Sequence, residues 1–578
     1  MLATLKDLFG NDYDEDGFRT CSVTGLEIHR SAEVHVKLFG LTAVIALVVG
    51  GIFALTVAAT RWEVIGLVGE FDGYYRHLSM HAWNILIFWM VFMEIAILYV
   101  GGSMVLGRRL PLTSLAKAGW GLMVAGALGI NYFIWTLSGG SDAPLLTAYV
   151  PLDVPPGFYA SAIVFLVGAT VAALPFLVTI WKEKRGNWSA TLPLVTFGAF
   201  VTFIIAVQAI LGGLAAFTYA FIWQVGIIDS INTGIYRQLY WIIGHGSQQI
   251  NLLAMITIWY FLTHVVGGAV VVSEKVSRTA FIMYLFFINL GAAHHLMVDP
   301  GLSVGWRIFN TSYAFYGAAL ASMIHAFAIP AGLEAGRRQR GLGGGLFGWL
   351  TSAPWKNPIF ASTIFSIILF GFLGGISGVL MGQLQLNMTW HNTFATVGHF
   401  HATVALGTTL AFMGLVFFVI KTMFRRNLIS DRLALLVPYG YAAAMGLASL
   451  LMMYVGILYG IPRRTSEVVS NIQGSDFSLS AAEPLFLVLG PMTLLAVLVG
   501  VVFVLVAVGS LLLGSRAGED DDEALLPKGG LRPDGGTESV HAIEMRGTFT
   551  LCLMFMATFV LMYILNWFLL TRLWSIGA

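Results

Sequence analysis

Charge is what this chain has least of. Only 11% of its 578 residues are Asp, Glu, Lys or Arg, while 57% are hydrophobic. A soluble domain carries about 25% charged residues, so an ordinary water-soluble globule is excluded. Cysteine is equally scarce: Cys21 and Cys552 stand alone and far apart, which excludes a disulfide framework, a CxxC metal site and a covalent CxxCH haem attachment. Any thiolate-held cofactor must belong to another chain. A formal net charge of +1 gives no footing for nucleic acid. No solenoid-type repeat is visible, and residues 1–35, polar and mixed in charge, do not resemble a cleavable signal.

What is there is hydrophobic length. Crossing about 30 Å of hydrocarbon takes about 20 apolar residues, and about thirteen segments qualify. They fall at 36–58, 82–101, 114–137, 158–181, 193–217, 240–263, 280–297, 306–330, 358–380, 391–420, 434–460, 483–514 and 548–572. The fold class is therefore an all-α polytopic membrane bundle, since such continuous runs do not suit a closed barrel. Residues 1–35 read as a cytoplasmic N-terminal segment and 36–514 as a twelve-helix core. An acidic Gly/Pro linker, 515–547, precedes an additional C-terminal span at 548–578. Lysine and arginine concentrate in the loops after even-numbered segments, among them Arg108, Arg109, Lys182, Lys184, Arg185, Arg337, Arg338, Arg340, Arg425 and Arg426. By the positive-inside rule those loops and the N-terminus are expected in the cytoplasm of a prokaryotic cell.

Histidine inside a span is costly without a partner, so the intramembrane histidines are the candidate functional residues. Under this orientation His81, His245, the pair His294 and His295, and the set His391, His399 and His401 all lie at similar depth toward the outer side. The charge distribution sets that orientation without reference to histidine. His399 and His401, two apart on a helix, point about 200° apart and cannot share one ion. They can serve two flat cofactors, one on each face, with His81 completing a bis-imidazole haem. The other haem then keeps His399 alone, its open side facing three neutral nitrogens from His245, His294 and His295, a set suited to copper, iron or zinc. His77, His264 and His325 are single and more in keeping with interfacial or hydrogen-bonded roles, while His29, His35 and His541 fall outside the expected spans.

Trp241-Ile242-Ile243-Gly244-His245, Ala293-His294-His295, and His391-Asn392-Thr393 through Val397-Gly398-His399-Phe400-His401 closely resemble the signature stretches of haem-copper oxygen reductase subunit I, in order over nearly the whole chain. His295-Leu296-Met297-Val298-Asp299-Pro300-Gly301, Trp306 and Gly332-Leu333-Glu334 resemble the B-type branch. The resemblance implies that His81 and His401 ligate a low-spin b-type haem, His399 a high-spin haem, and His245, His294 and His295 a non-haem copper or iron. It also implies that Arg463 and Arg464, in Ile461-Pro462-Arg463-Arg464, hold haem propionates with His391, a role that suits a permanently charged bidentate donor. Phe400 matches a bridge between the two haems.

One position departs. The A and B types place a tyrosine four residues after the helix-six histidine, where this chain has Gln249; the C type places one six residues before the histidine pair, where it has Ile288. Splitting O–O takes four electrons at once, and the phenol supplies what the metals lack. Glutamine cannot be oxidised. Coupling two NO molecules to N2O and water needs only two electrons and two protons. Nitric oxide reductases of the superfamily often carry a glutamate at this position, which helps bind iron, and Gln249 is its neutral isostere. The sequence thus points to nitric oxide reduction, with Gln249 among the catalytic residues. An oxygen reductase using Tyr240, Tyr284, Tyr313 or Tyr316 is the second reading, and a non-enzymatic ion carrier the third. Ser247 stands where A-type oxidases have a proton-carrying glutamate. Tyr260, Ser322 and His325 approximate the B-type proton channel. Electrons are expected from a second subunit, bearing CuA, of cytochrome c type or with a quinol site, near Arg463 and Arg464.

Overall fold

The computed structural model describes residues 8–62, 74–136, 147–463, 482–518 and 544–573. After a small hairpin of β1 (Phe18–Thr20) and β2 (Glu27–His29) the chain runs through helices α1 (Arg30–Trp62), α2 (Tyr74–Met104), α3 (Thr113–Thr136), α4 (Pro156–Gly186), α5 (Leu194–Gln224) and α6 (Thr233–Gly267). It continues through α7 (Glu274–Leu290), α8 (Val304–Gln339), α9 (Pro358–Met381), α10 (Phe394–Thr422), α11 (Asp431–Tyr459), α12 (Glu483–Leu513) and α13 (Arg546–Leu573). Every expected span has its helix. Among the described residues 12 helices are long and apolar enough to cross a membrane. The remaining one, α7, is an α-helix for 17 residues and then tightens into a 3₁₀ turn, Gly291–Leu296, which carries His294 and His295.

Several boundaries differ from the sequence reading. Helix α1 starts at Arg30, not 36, because Glu33, His35 and Lys37 are fully or almost fully buried and need no aqueous segment. His35, expected outside the spans, is therefore inside one. Glu33 accepts from Arg19 at 2.7 Å and from Tyr13 at 3.2 Å, and pairs with Lys37 at 3.1 Å. Arg19 and Asn11 also donate to the last carbonyls of α10, Thr422 and Met423. This ties the N-terminal segment to the foot of α10. Burial and the Glu33 carboxylate push the Tyr13 phenol above its ordinary value. Helix α10 begins at Phe394, so His391 is not in it but follows a short helix, Leu384–Trp390. Most of the acidic linker, 519–543, lies outside the described residues, and α13 starts at Arg546 rather than 548.

The histidine-bearing helices sit at the centre. In α2, α6 and α10 the apolar stretch is 78%, 83% and 89% buried, against 6% in α13. Helix α10 presses backbone to backbone on α11: a Cβ at Gly398 would lie 2.5 Å from the Ser449 carbonyl, and one at Gly456 would collide with the Ala395 nitrogen. Close approach of this kind, which only glycine permits, fixes the helix carrying His399 and His401. Wider π turns come directly after one histidine and begin at another, Trp83–Trp89 beyond His81 and His401–Thr409 from His401 onward. Such turns gather at functional sites because the extra residue re-aims the side chains beyond it.

Candidate metal and cofactor centre

Helix α6 supplies His245, and the 3₁₀ turn after α7 supplies His294 and His295. Their nitrogens all lie within 4.8 Å of one another. His245 Nδ1 and His295 Nε2 are 3.0 Å apart, and the three rings have centroid separations of 4.1 to 5.0 Å. His295 is stacked on Trp241 at 4.0 Å and 7°, and His294 Nδ1 is hydrogen-bonded to the Gly291 carbonyl. A second support was missed in the sequence. Arg237, near the start of α6, donates from Nη2 to Asp299 Oδ1 at 2.8 Å, and Arg307 donates to the Asp299 carbonyl at 2.9 Å. The bidentate pair anchors the turn beyond the histidines to the helix that bears His245. Three converging imidazoles make a donor set for a divalent transition metal.

Between α1, α2, α10, α11 and α12 lies a cavity of about 490 Å³, lined by His81 and His401 and otherwise almost wholly apolar. His81 Nδ1 faces the Gly50 carbonyl at 3.0 Å and His401 Nδ1 the Val397 carbonyl at 2.8 Å. A carbonyl only accepts, so each Nδ1 carries the proton and each Nε2 keeps its lone pair. Two imidazoles with fixed tautomers in an apolar cavity of cofactor size fit a haem with two axial ligands. Gly50 is the detail hidden from sequence reasoning: a Cβ there would lie 2.6 Å from Ile85, and its absence lets α1 bring its carbonyl to His81.

His399 leaves the other face of α10. Its Nδ1 lies 2.9 Å from Ser377 Oγ on α9, and His294 and His245 are its electrostatic neighbours. The structure therefore brings His399 to the triad and His401 to His81, on opposite sides of one helix. Arg463 lines the larger cavity, with its guanidinium 5.3 Å from the Phe400 ring. Its backbone donates to the Asn392 carbonyl at 2.7 Å beside a Thr393–Pro462 bridge, and Asn392 adopts φ 61°. That arrangement holds Arg463 beside Asn392, the residue that follows His391. Arg464 lies outside the described residues.

Gln249 is buried, one helical turn beyond His245 on α6. Tyr260 is hydrogen-bonded to both Ser277 Oγ and His325 Nδ1 at 3.0 Å. Ser322 is 2.8 Å from Tyr284, whose ring stacks on His325 at 5.7 Å and 13°. Ser277 and the pairing of Tyr284 were not foreseen. Both sit on α7, and only tertiary packing places them against α6 and α8. His264 is hydrogen-bonded to the Ala269 carbonyl and His77 to Thr56; neither joins the centre. Of the substitute tyrosines, Tyr313 and Tyr316 are exposed, Tyr284 belongs to the α7–α8 pair, and Tyr240 is buried with its ring 5.6 Å from Trp241.

Residues 34–490 match the model of the family described as cytochrome c and quinol oxidase polypeptide I. The chain belongs to that family. It is thus the membrane-integral catalytic subunit of a haem-copper oxidoreductase. It is 29% identical over 433 residues to cytochrome c oxidase subunit 1 of Thermus thermophilus, covering 73% of this chain and 75% of that one. It is 24% identical over 407 residues to a probable quinol oxidase subunit 1 of Staphylococcus aureus, covering 67% of this chain and 58% of that relative's length. A heme-copper terminal oxidase dimer solved by cryo-EM has the same fold, with a TM-score of 0.78 and 24% identity over 93% of this chain and 92% of that one.

Proposed function

We propose that this subunit reduces nitric oxide to nitrous oxide. The observation that carries the reading is Gln249, buried one turn from His245 where a redox-active phenol is expected of an oxidase. An amide offers a carbonyl oxygen to a metal but neither electron nor radical. In this reading His81 and His401 hold a low-spin haem in the larger cavity. His399 holds a high-spin haem opposite a copper or iron bound by His245, His294 and His295, and Arg463, Arg464 and His391 hold propionates. Bound together, these groups supply the two electrons that join two NO molecules. The chain's own part is positional and protic. Trp241 and the Arg237–Asp299 pair fix the triad, and the apolar walls exclude water. Tyr260, His325, Ser322 and their α7 partners Ser277 and Tyr284 pass protons from the cytoplasmic side. Electrons arrive from a partner subunit, of CuA or cytochrome c type, on the outer side.

One observation favours a second reading, oxygen reduction to water. Tyr240 lies with its ring 5.6 Å from that of Trp241, which stacks on His295, so a phenol stands one aromatic ring away from the triad. The test is the rate of the purified complex with each gas. NO consumption well above O2 consumption, unaffected by Tyr240→Phe, is expected. O2 reduction at an oxidase's rate, abolished by Tyr240→Phe and without NO turnover, would overturn the nitric oxide reading. Gln249→Glu is expected to retain NO turnover.

A further inference from the structure

We propose that Ser377 is the positioning residue for the imidazole of His399, holding its ring and setting how strongly it donates to iron. The inference rests on the reading of His399 as the axial ligand of the high-spin haem.

Ser377 Oγ lies 2.9 Å from His399 Nδ1. The hydroxyl's other contacts decide which group donates. It has one proton, and the Leu373 carbonyl one turn back accepts it, with the Gly374 carbonyl also at 3.0 Å. The oxygen's lone pairs then face the ring, so His399 Nδ1–H donates to Ser377 and Nε2 is left with its lone pair. His81 and His401 meet backbone carbonyls in the same role. At His399 a side chain, Ser377, joins a backbone carbonyl, that of Gly374, beside the ring.

The backbone is shaped for this contact. A π turn, Phe370–Gly375, ends just before Ser377, and one added residue rotates the next stretch of helix by about 100°. The residue after Ser377 is Gly378, where a Cβ would stand 3.1 Å from His399 Cε1. Any side chain there would crowd the ring that Ser377 holds. A hydroxyl whose own proton is already given to a carbonyl is a better acceptor than a free one, and an accepting partner on a ligating histidine's second nitrogen raises its basicity and fixes its orientation. Ser377 is therefore placed to hold His399 toward the triad and to keep the high-spin iron electron-rich.

The test is the iron–imidazole stretching band of the reduced, high-spin haem by resonance Raman spectroscopy, with the haem's midpoint potential measured on the same holo-complex. Ser377→Ala should move the band to lower frequency and the potential upward, while Ser377→Thr, which keeps the hydroxyl, should leave both near their native values. A band unmoved or raised in Ser377→Ala would overturn the proposal, since the Gly374 carbonyl would then be the acceptor that matters. His399→Ala separates the two layers of the argument. Loss of the band there with no response to Ser377→Ala rejects the role of Ser377 alone, whereas a band that survives His399→Ala rejects the ligand reading beneath it. If Ser377→Ala does not assemble, Ser377→Cys, a weaker acceptor of similar size, should show the same downward shift, and its absence counts against the proposal equally.

Discussion

At the scale of residues, the two histidines of the larger cavity carry the sharpest expectation. His81 and His401 each have Nδ1 fixed by a carbonyl, so on the proposed reading removing either ring would delete one axial bond and leave the triad on the far side of α10 in place. His81→Ala and His401→Ala should each abolish the low-spin haem absorbance while CO still binds at the other haem. A variant that lost CO binding and kept the low-spin signal would show the axial assignment to be reversed. The convergence of these histidines on one cavity was legible in the sequence because an imidazole in a bilayer is costly without a partner, and because the two-residue spacing of His399 and His401 is incompatible with a shared ion. Gly50, Ser377 and Gly378 were not legible. Each acts through a carbonyl, a hydroxyl or a missing Cβ that matters only once another helix is beside it. Arg237 and Asp299 are an intermediate case: Asp299 stood within a motif, but nothing local identified its partner 62 residues upstream.

Elements tell a similar story. Hydrophobic length predicted every span, yet it set starts and ends wrongly where polar side chains are buried by their neighbours, as in the first turns of α1, or where the helix type changes, as at the end of α7. Neither the π turns nor the 3₁₀ turn has a hydropathy signature. The attachment of α13 was likewise invisible. Glu334, fully buried on α8, accepts from Gly547 N at 3.0 Å, Thr548 N at 2.6 Å and Thr548 Oγ1 at 2.8 Å, and from Arg338 Nε at 2.8 Å. One carboxylate thus caps the N-terminus of α13, where unpaired N–H groups and the helix dipole favour an anion. Among the described residues little else of α13 is buried, so this cap carries much of its attachment. Glu334→Ala leaves those donors without their acceptor, at about 1–3 kcal/mol. It should increase proteolytic cutting within 515–547 and lower the melting temperature, with both haem spectra unchanged. Native resistance to protease in that variant would mean that α13 is held by its apolar contacts, such as Phe555 on Phe327 and Phe372.

At the scale of the whole molecule the proposed function requires an entrance for electrons and one for protons, and the proton entrance is the easier to test. Tyr260 lies fifteen residues along α6 from His245, about 22 Å at 1.5 Å per residue, so a proton taken up at that depth must cross much of the bilayer before it reaches the triad. The hydrogen-bonded groups that α6, α7 and α8 gather there are Ser277, Tyr260 and His325, with Tyr284 and Ser322 beside them. His325 Nε2 is buried without a protein partner among the described residues. An imidazole holding a phenol on one nitrogen and presenting the other to its surroundings can accept on one side and release on the other. If protons enter here, Tyr260→Phe and His325→Ala should slow turnover several-fold with electron donor in excess. Both haems should remain reducible at their native wavelengths, because neither residue is near a haem ligand. Charge movement decides between this route and one from the outer face. Electrons from outside meeting protons from inside transfer one charge per electron across the membrane, and reconstituted vesicles should alkalinise on the side to which these residues open. Protons drawn from the electron-donating side transfer none. Vesicles that turn over without charge separation, in which Tyr260→Phe and His325→Ala run at the native rate, would leave the α6–α8 cluster a packing feature and require an outer proton path.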